Sequence, residues 1–154
     1  MTTLNAKMKS PNLRARYQHL PGPVGKLLEG TYCTTASVPI SPYATLVYTT
    51  SHLGLDLQTG VLIRESLQAE VEAIFDCLDA ALKNAGVIEG CGQAFKFTCC
   101  MRSVQQQSTV EAVFKGKWAG HQPAWVAVIV SDFVGGPGMN VEIAAEAVIY
   151  SDEW

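Results

Sequence analysis

Hydrophobic positions along the chain follow two rhythms. Between residues 66 and 85, Val71, Ile74, Phe75, Leu78 and Leu82 recur every three or four residues. That spacing gathers them into one apolar stripe and predicts a helix. Ser66 is a natural N-cap ahead of it and Gly86 a natural stop behind it. Glu70, Glu72 and Asp76 are assigned to the polar side. A second helix is expected over 105–118, with Val110, Val113, Phe114 and Trp118 facing inward. Elsewhere the rhythm is two. Phe95, Phe97, Cys99 and Met101 alternate with Lys96, Thr98, Cys100 and Arg102, which predicts a strand over 94–102. Residues 31–38 and 45–53 are rich in β-formers and read as a hairpin around the turn segment PISPYA at 39–44. Residues 124–131 (AWVAVIVS) form a strand apolar on both faces. Residues 140–150 form a closing strand after the turn VGGPG at 134–138.

The predicted order is ββαβαββ, an α+β domain whose mixed sheet is covered on one face by two helices. Two helices cannot cover both faces. Yet the strands at 124–131 and 140–150 carry apolar or small residues on both sides. A second copy of the chain is the economical cover, so an oligomer is expected.

Residues 1–29 read as an N-terminal extension, in which Pro21 and Pro23 of the PGP triplet oppose regular structure; residues 30–154 form the single domain. Apolar residues make up 48% of the chain and charged residues 16%, which supports a sizeable core. The net charge of −3 and the lack of a basic run argue against nucleic-acid binding. The five cysteines, odd in number and without a C-x-x-C, read as reduced thiols that pack as small hydrophobes. No apolar stretch approaches the ~20 residues of a membrane span, and the N-terminus lacks a secretory apolar core, so a cytoplasmic location is expected. His19, His52 and His121 are too scattered for a metal motif, and GGPG lacks the Lys of a phosphate loop.

Several stretches resemble a known family in order and spacing. LVYTTSHLGLDLQTG (46–60) is similar to the pattern LVFTSGQIPLDPxTG of the Rid (YjgF, L-PSP endoribonuclease-like) family. The helix ending ALKNAG resembles the family helix ending LxxAG. PAW at 123–125 stands where the family has PAR or PTR, and VEIAAEA at 141–147 is similar to its closing EIEAIA strand. The resemblance spans roughly residues 30–150. It implies a chorismate-mutase-like fold, a homotrimer, small-molecule sites in clefts between subunits, and cofactor-free, metal-free hydrolysis of imines or enamines.

Carried over position by position, the family's acid–base Glu corresponds to Glu142. Its site Tyr corresponds to Tyr32, with Tyr43 as the alternative. Its Gly-Gln corresponds to Ser51 and His52, its helix Asn to Glu111, and its substrate-clamping Arg to Trp125. The loss of the Arg matters most. A guanidinium fork matches a carboxylate, whereas an indole has one donor and no charge. Loss of a charged hydrogen bond costs about 1.5–3 kcal/mol, so 2-imino acids are expected to be poor substrates. Glu111 and Glu142 are expected to face one cleft, which would favour a neutral, aromatic or cationic ligand. The expected activity is imine or enamine hydrolysis on a non-standard substrate. The alternatives are a repurposed cyclase or isomerase and a non-catalytic ligand-binding trimer. RNA cleavage, a label some relatives carry, is disfavoured by the charge.

Overall fold

A computed structural model describes residues 14–151. They form β1 (Arg16–Gln18), α1 (Pro23–Leu28), β2 (Thr35–Ser41), β3 (Ala44–Thr49), α2 (Leu67–Asn84), β4 (Ala94–Met101), α3 (Gln107–Lys117), β5 (Ala124–Ile129) and β6 (Val141–Tyr150). Short 3-10 turns precede β4 and α3. The ββαβαββ succession is thus present as the run from β2 to β6, with a strand and a helix ahead of it.

The six strands form one sheet in the order β1-β2-β3-β6-β4-β5. Only β4 and β5 pair in parallel, joined by the crossover through α3. Cross-strand register sorts the side chains by face. Val47 lies opposite Ala147, Phe97 opposite Ala145, Cys99 opposite Ile143 and Met101 opposite Val141. All of these are buried beneath α2 and α3, in one cluster with Ile74, Phe75, Leu78, Val110 and Phe114. The helices therefore share one face, as the periodicity requires. Ser66 caps α2 by accepting from the Ala69 N–H at 3.1 Å, and Gly86 ends it in a left-handed conformation, φ 100°.

The other face carries Leu46, Tyr48, Cys100, Glu142, Ala144, Val126 and Val128, none of them beneath a helix. In β5, at the sheet edge, all six residues are exposed in the single chain. The apolar character read on both faces of this strand is real, and one of those faces has no cover within the chain.

The N-terminal region differs from expectation. Residues 1–13 of the expected extension lie outside the described residues, but residues 16–28 are structured. β1 pairs with β2, Tyr17 opposite Ala36. The PGP triplet starts a helix rather than preventing one. Gly22 takes φ 102°, a left-handed value natural to glycine, and Pro23 sits at the first position of α1. There its fixed φ suits the helix and its missing N–H would have had no partner. Leu20 and Val24 pack with Cys77, Leu55 and Leu57 in a second small core. The first hairpin strand begins at Thr35 rather than at residue 31, because residues 31 and 32 are used in the turn that ends α1, and only from Thr34 does the backbone reach the neighbouring strand. The Tyr32 N–H donates to the Leu28 carbonyl at 2.9 Å, and the Thr34 N–H to the Gln18 carbonyl at 2.8 Å. Pro39 is part of β2, beyond the end of β1, where an absent N–H leaves no ladder bond unmade.

Candidate functional site

The site starts from an irregularity in β3. Tyr48 pairs with Glu146, and His52 with Ile143. The β3 side thus takes four steps where β6 takes three, a β-bulge. The Thr49 hydroxyl takes the place of a ladder carbonyl by accepting from the Ala145 N–H at 2.9 Å. His52 restores the ladder by exchanging backbone bonds with Ile143 at 2.8 and 3.1 Å. The extra residue turns Ser51 toward Glu142, and the Ser51 hydroxyl donates to a Glu142 carboxylate oxygen. Glu142 lies opposite Cys100 on the face away from the helices.

Ser51, His52, Glu142 and Tyr32 line one cavity of about 710 Å³. Tyr32 stands at the junction with a shallower cleft that also holds Tyr17, His19 and Tyr48. Its backbone carbonyl is held by the His19 Nε2 at 2.9 Å. Tyr43 is elsewhere, in the turn between β2 and β3, where its carbonyl accepts from the Ser151 N–H at 2.9 Å. Of the two tyrosines, Tyr32 is the one that lines the cavity of Glu142.

His52 is almost fully buried, and its Nε2 has no hydrogen-bond partner. Burial pushes its imidazole down to about 4, so the ring is neutral at physiological pH. Asp132, which also lines the cavity, is held below the ordinary carboxylate range by the backbone N–H groups of Phe133 and Gly138, at 2.9 and 3.1 Å. Among the described residues, no lysine or arginine lines this cavity.

Trp125 and Glu111 lie elsewhere. They line a separate cavity of about 350 Å³ between α3 and β5, on the helix side of the sheet. The Trp125 indole stacks on Phe97 with centroids 4.9 Å apart and planes 20° from parallel, and meets Phe114 edge-on at 5.3 Å. It is 38% exposed, so it is both an extension of the core and a wall of the cavity. Glu111 accepts from Gln107 Nε2 at 2.9 Å and lies 3.9 Å from the Lys115 ammonium. Within one chain, then, Glu111 and Glu142 do not share a cleft. α3 packs on the covered face and Glu142 points off the open face. The carboxylate beside the indole also has a lysine neighbour.

One buried charge was missed from sequence. Glu70 is 2% exposed, not on a polar face. Its carboxylate accepts from the Asn140 N–H at 2.7 Å, the Asn140 side-chain amide at 2.8 Å and the Val141 N–H at 3.1 Å. It thereby holds the start of β6 two residues before Glu142. The signal was present, since Glu70 lies four residues before Ile74 and eight before Leu78, on the apolar stripe itself. Glu146, by contrast, pairs with Lys96 at 3.2 Å across the strands. Cys77, Cys91 and Cys99 are buried thiols, and Cys77 donates to the Leu55 carbonyl at 3.2 Å. No helix of the described residues is long and apolar enough to cross a membrane.

The fold recurs in solved structures. A Psychrobacter RidA shares 26% identity with the chain, covering 88% of it and 98% of its own length at a TM-score of 0.67. Yeast Mmf1 shares 12% identity, covering 90% and 100% at 0.71. YyfA from Yersinia pestis, a Rid-family protein of unknown function, shares 22%, covering 77% and 87% at 0.65. No curated protein matches the chain. The family model described as Endoribonuclease L-PSP matches residues 35–149, which hold both Ser51 and Glu142. The chain therefore belongs to the endoribonuclease L-PSP family, that of the Rid (YjgF) proteins.

Proposed function

We propose that this protein is a Rid-type small-molecule enzyme that performs cofactor-free acid–base chemistry on an imine or enamine. The observation that carries the reading is the Ser51–Glu142 hydrogen bond at the polar end of a cavity large enough for a small organic molecule. Ser51 occupies one carboxylate oxygen and leaves the other free to take a proton. In hydrolysis, Glu142 accepts a proton from water as the oxygen attacks the C=N carbon. It then returns a proton to nitrogen, and the carbinolamine releases ammonia and leaves a carbonyl. Tyr32 orients the substrate through its hydroxyl.

The working site is completed between copies of the chain in a trimer. Two facts support this. The open sheet face is apolar at Val126 and Val128, both exposed in the single chain. The cavity of Trp125 and Glu111 sits at the free edge of β5, where a neighbour could join it to the Glu142 cavity. In that arrangement Trp125 supplies an indole wall where the family has its Arg, so a carboxylate-bearing substrate loses its clamp. The reduced thiols fit a cytoplasmic setting. The −3 charge speaks against RNA as substrate.

The test is hydrolysis of freshly generated 2-imino acids and of uncharged imines by the wild type, Trp125→Arg and Glu142→Gln. The expected result is weak wild-type activity on 2-imino acids, a gain of at least tenfold in Trp125→Arg, and loss of both activities in Glu142→Gln. Wild-type activity indifferent to Glu142→Gln would place the chemistry elsewhere. A cyclase or isomerase would leave imines untouched in all three variants yet still bind ligand at Glu142.

A further inference from the structure

The Glu142 cavity has a second end, and it is apolar. Val24, Leu27 and Leu28 of α1 line it, together with Leu53, Phe133 and Val134. Leu27 is 61% exposed and Val134 is 98% exposed. Large apolar side chains are thus held open to solvent around the mouth of one pocket, a pattern that marks a binding site. The α1 wall is firmly seated. Val24 is buried against Leu20 and Cys77, and Gly25 lies so close to the Leu20 carbonyl that a methyl group there would collide with it. This wall also lies outside residues 35–149, the span of the family match.

The polar end has its own character. It offers the carboxylates of Glu142 and Asp132 and the hydroxyls of Ser51 and Thr50; no lysine or arginine lines it among the described residues. A carboxylate ligand would meet like charge there, whereas an ammonium, iminium or amine N–H would find acceptors.

We infer that this cavity takes a nitrogen base with a hydrocarbon body, its nitrogen at the Ser51–Glu142 end and its chain lying along α1, so that α1 sets the choice of substrate. The inference rests on the reading of Glu142 as the acid–base group and names the substrate class for it: C=NH imines carrying a hydrocarbon chain, without an α-carboxylate. The apolar wall rewards each buried methylene, and the anionic end rejects acids.

Titration calorimetry on the full chain with butyl-, hexyl- and octylamine, and with hexanoate and octanoate, tests this. Amine binding is expected to tighten about fourfold per methylene until the cavity fills. The carboxylates should bind at least tenfold more weakly than amines of equal length. Leu27→Asp, at an exposed position, should flatten the chain-length dependence with an unchanged circular dichroism spectrum; Leu28→Asn, on the same helix, should do the same. Glu142→Gln should erase the preference for amines. Carboxylates binding as tightly as amines would overturn the inference, as would a chain-length dependence that survives both wall variants. The hydrolase reading is judged separately. If amines bind as described but no imine is turned over, only that reading fails. If short and long imines are hydrolysed alike and Glu142 is needed, only the present inference fails.

Discussion

Asn140 donates to both oxygens of Glu70, through its backbone N–H at 2.7 Å and its side-chain amide at 2.8 Å. The same Asn140 accepts from Gln106 Nε2 at 3.0 Å, and Gln106 in turn accepts from the Ser103 N–H at 3.0 Å. One buried carboxylate on α2 thus ties the start of β6 to the turn that opens α3. Glu70→Ala leaves three donors without a charged acceptor, and an expected loss of about 3 kcal/mol follows. Glu70→Gln keeps one acceptor oxygen and should cost about 1–2 kcal/mol. Urea unfolding midpoints measure both. If Glu70→Ala left the midpoint unmoved, the clamp would have no energetic role.

Stability should fall between pH 6.5 and about 4 because of His52. Its folded-state pKa of about 4 lies below the ordinary 6.5, so in this interval the unfolded chain binds a proton that the folded chain does not. The contribution is full above pH 6.5 and is lost as the pH falls toward 4. At roughly 1.36 kcal/mol per unit it amounts to about 3 kcal/mol. The depressed pKa values of Asp56 and Asp132 act in the same direction, but only below the ordinary 3.8. Thermal melts from pH 8 to pH 4 should therefore decline in the wild type and flatten in His52→Gln.

The open sheet face supplies a test of assembly. Val128→Asp adds a charge at an exposed position of β5 and should leave the fold of the single chain intact, within about 0.5 kcal/mol. In sedimentation the wild type should run as a trimer and the variant as a smaller species. A monomeric wild type would mean that no second copy covers this face.

The thiols should separate by their burial. Burial pushes Cys77 and Cys99 up to about 12 and raises Cys91 as well. Only the thiolate reacts, so these three should resist iodoacetamide at pH 8 in the native protein. Cys33 and Cys100 are half-buried and should be labelled, Cys100 slowly, since burial and the nearby Glu142 raise it too. Octylamine should shield Cys100, which lines the Glu142 cavity. Peptide mass mapping reads out the order. Labelling of Cys99 before Cys100 would contradict the assignment of faces.

Much of the frame was legible because it depends on short-range rhythm. The stripe from Val71 to Leu82 is a helix because those side chains share one side of a 3.6-residue turn. Phe97, Cys99 and Met101 are buried together because alternate strand residues share a face. The uncovered apolar side of β5 followed from the same count. The segment around Pro23 was misread because a proline that breaks a helix interior also suits its first position, and the choice depends on what the helix packs against. Here that is Leu55, Leu57 and Cys77, more than 25 residues downstream.

The candidate site divides along the same line. The amino-acid sequence by itself determined the residue types and their strands: a carboxylate at 142 in an apolar strand, a serine and a histidine just past β3, and an indole at 125. These are local facts, set by composition and period. Only the tertiary structure decided which of them meet. The one-residue bulge after Thr49 turns Ser51 onto Glu142, while α3 and the register of Trp125 with Phe97 put Glu111 and Trp125 on the covered face, apart from Glu142 within one chain. The α1 wall is likewise brought to the cavity by packing. Side chains dozens of residues apart touch only when register, bulge and helix placement agree, and a local pattern does not contain those long-range quantities.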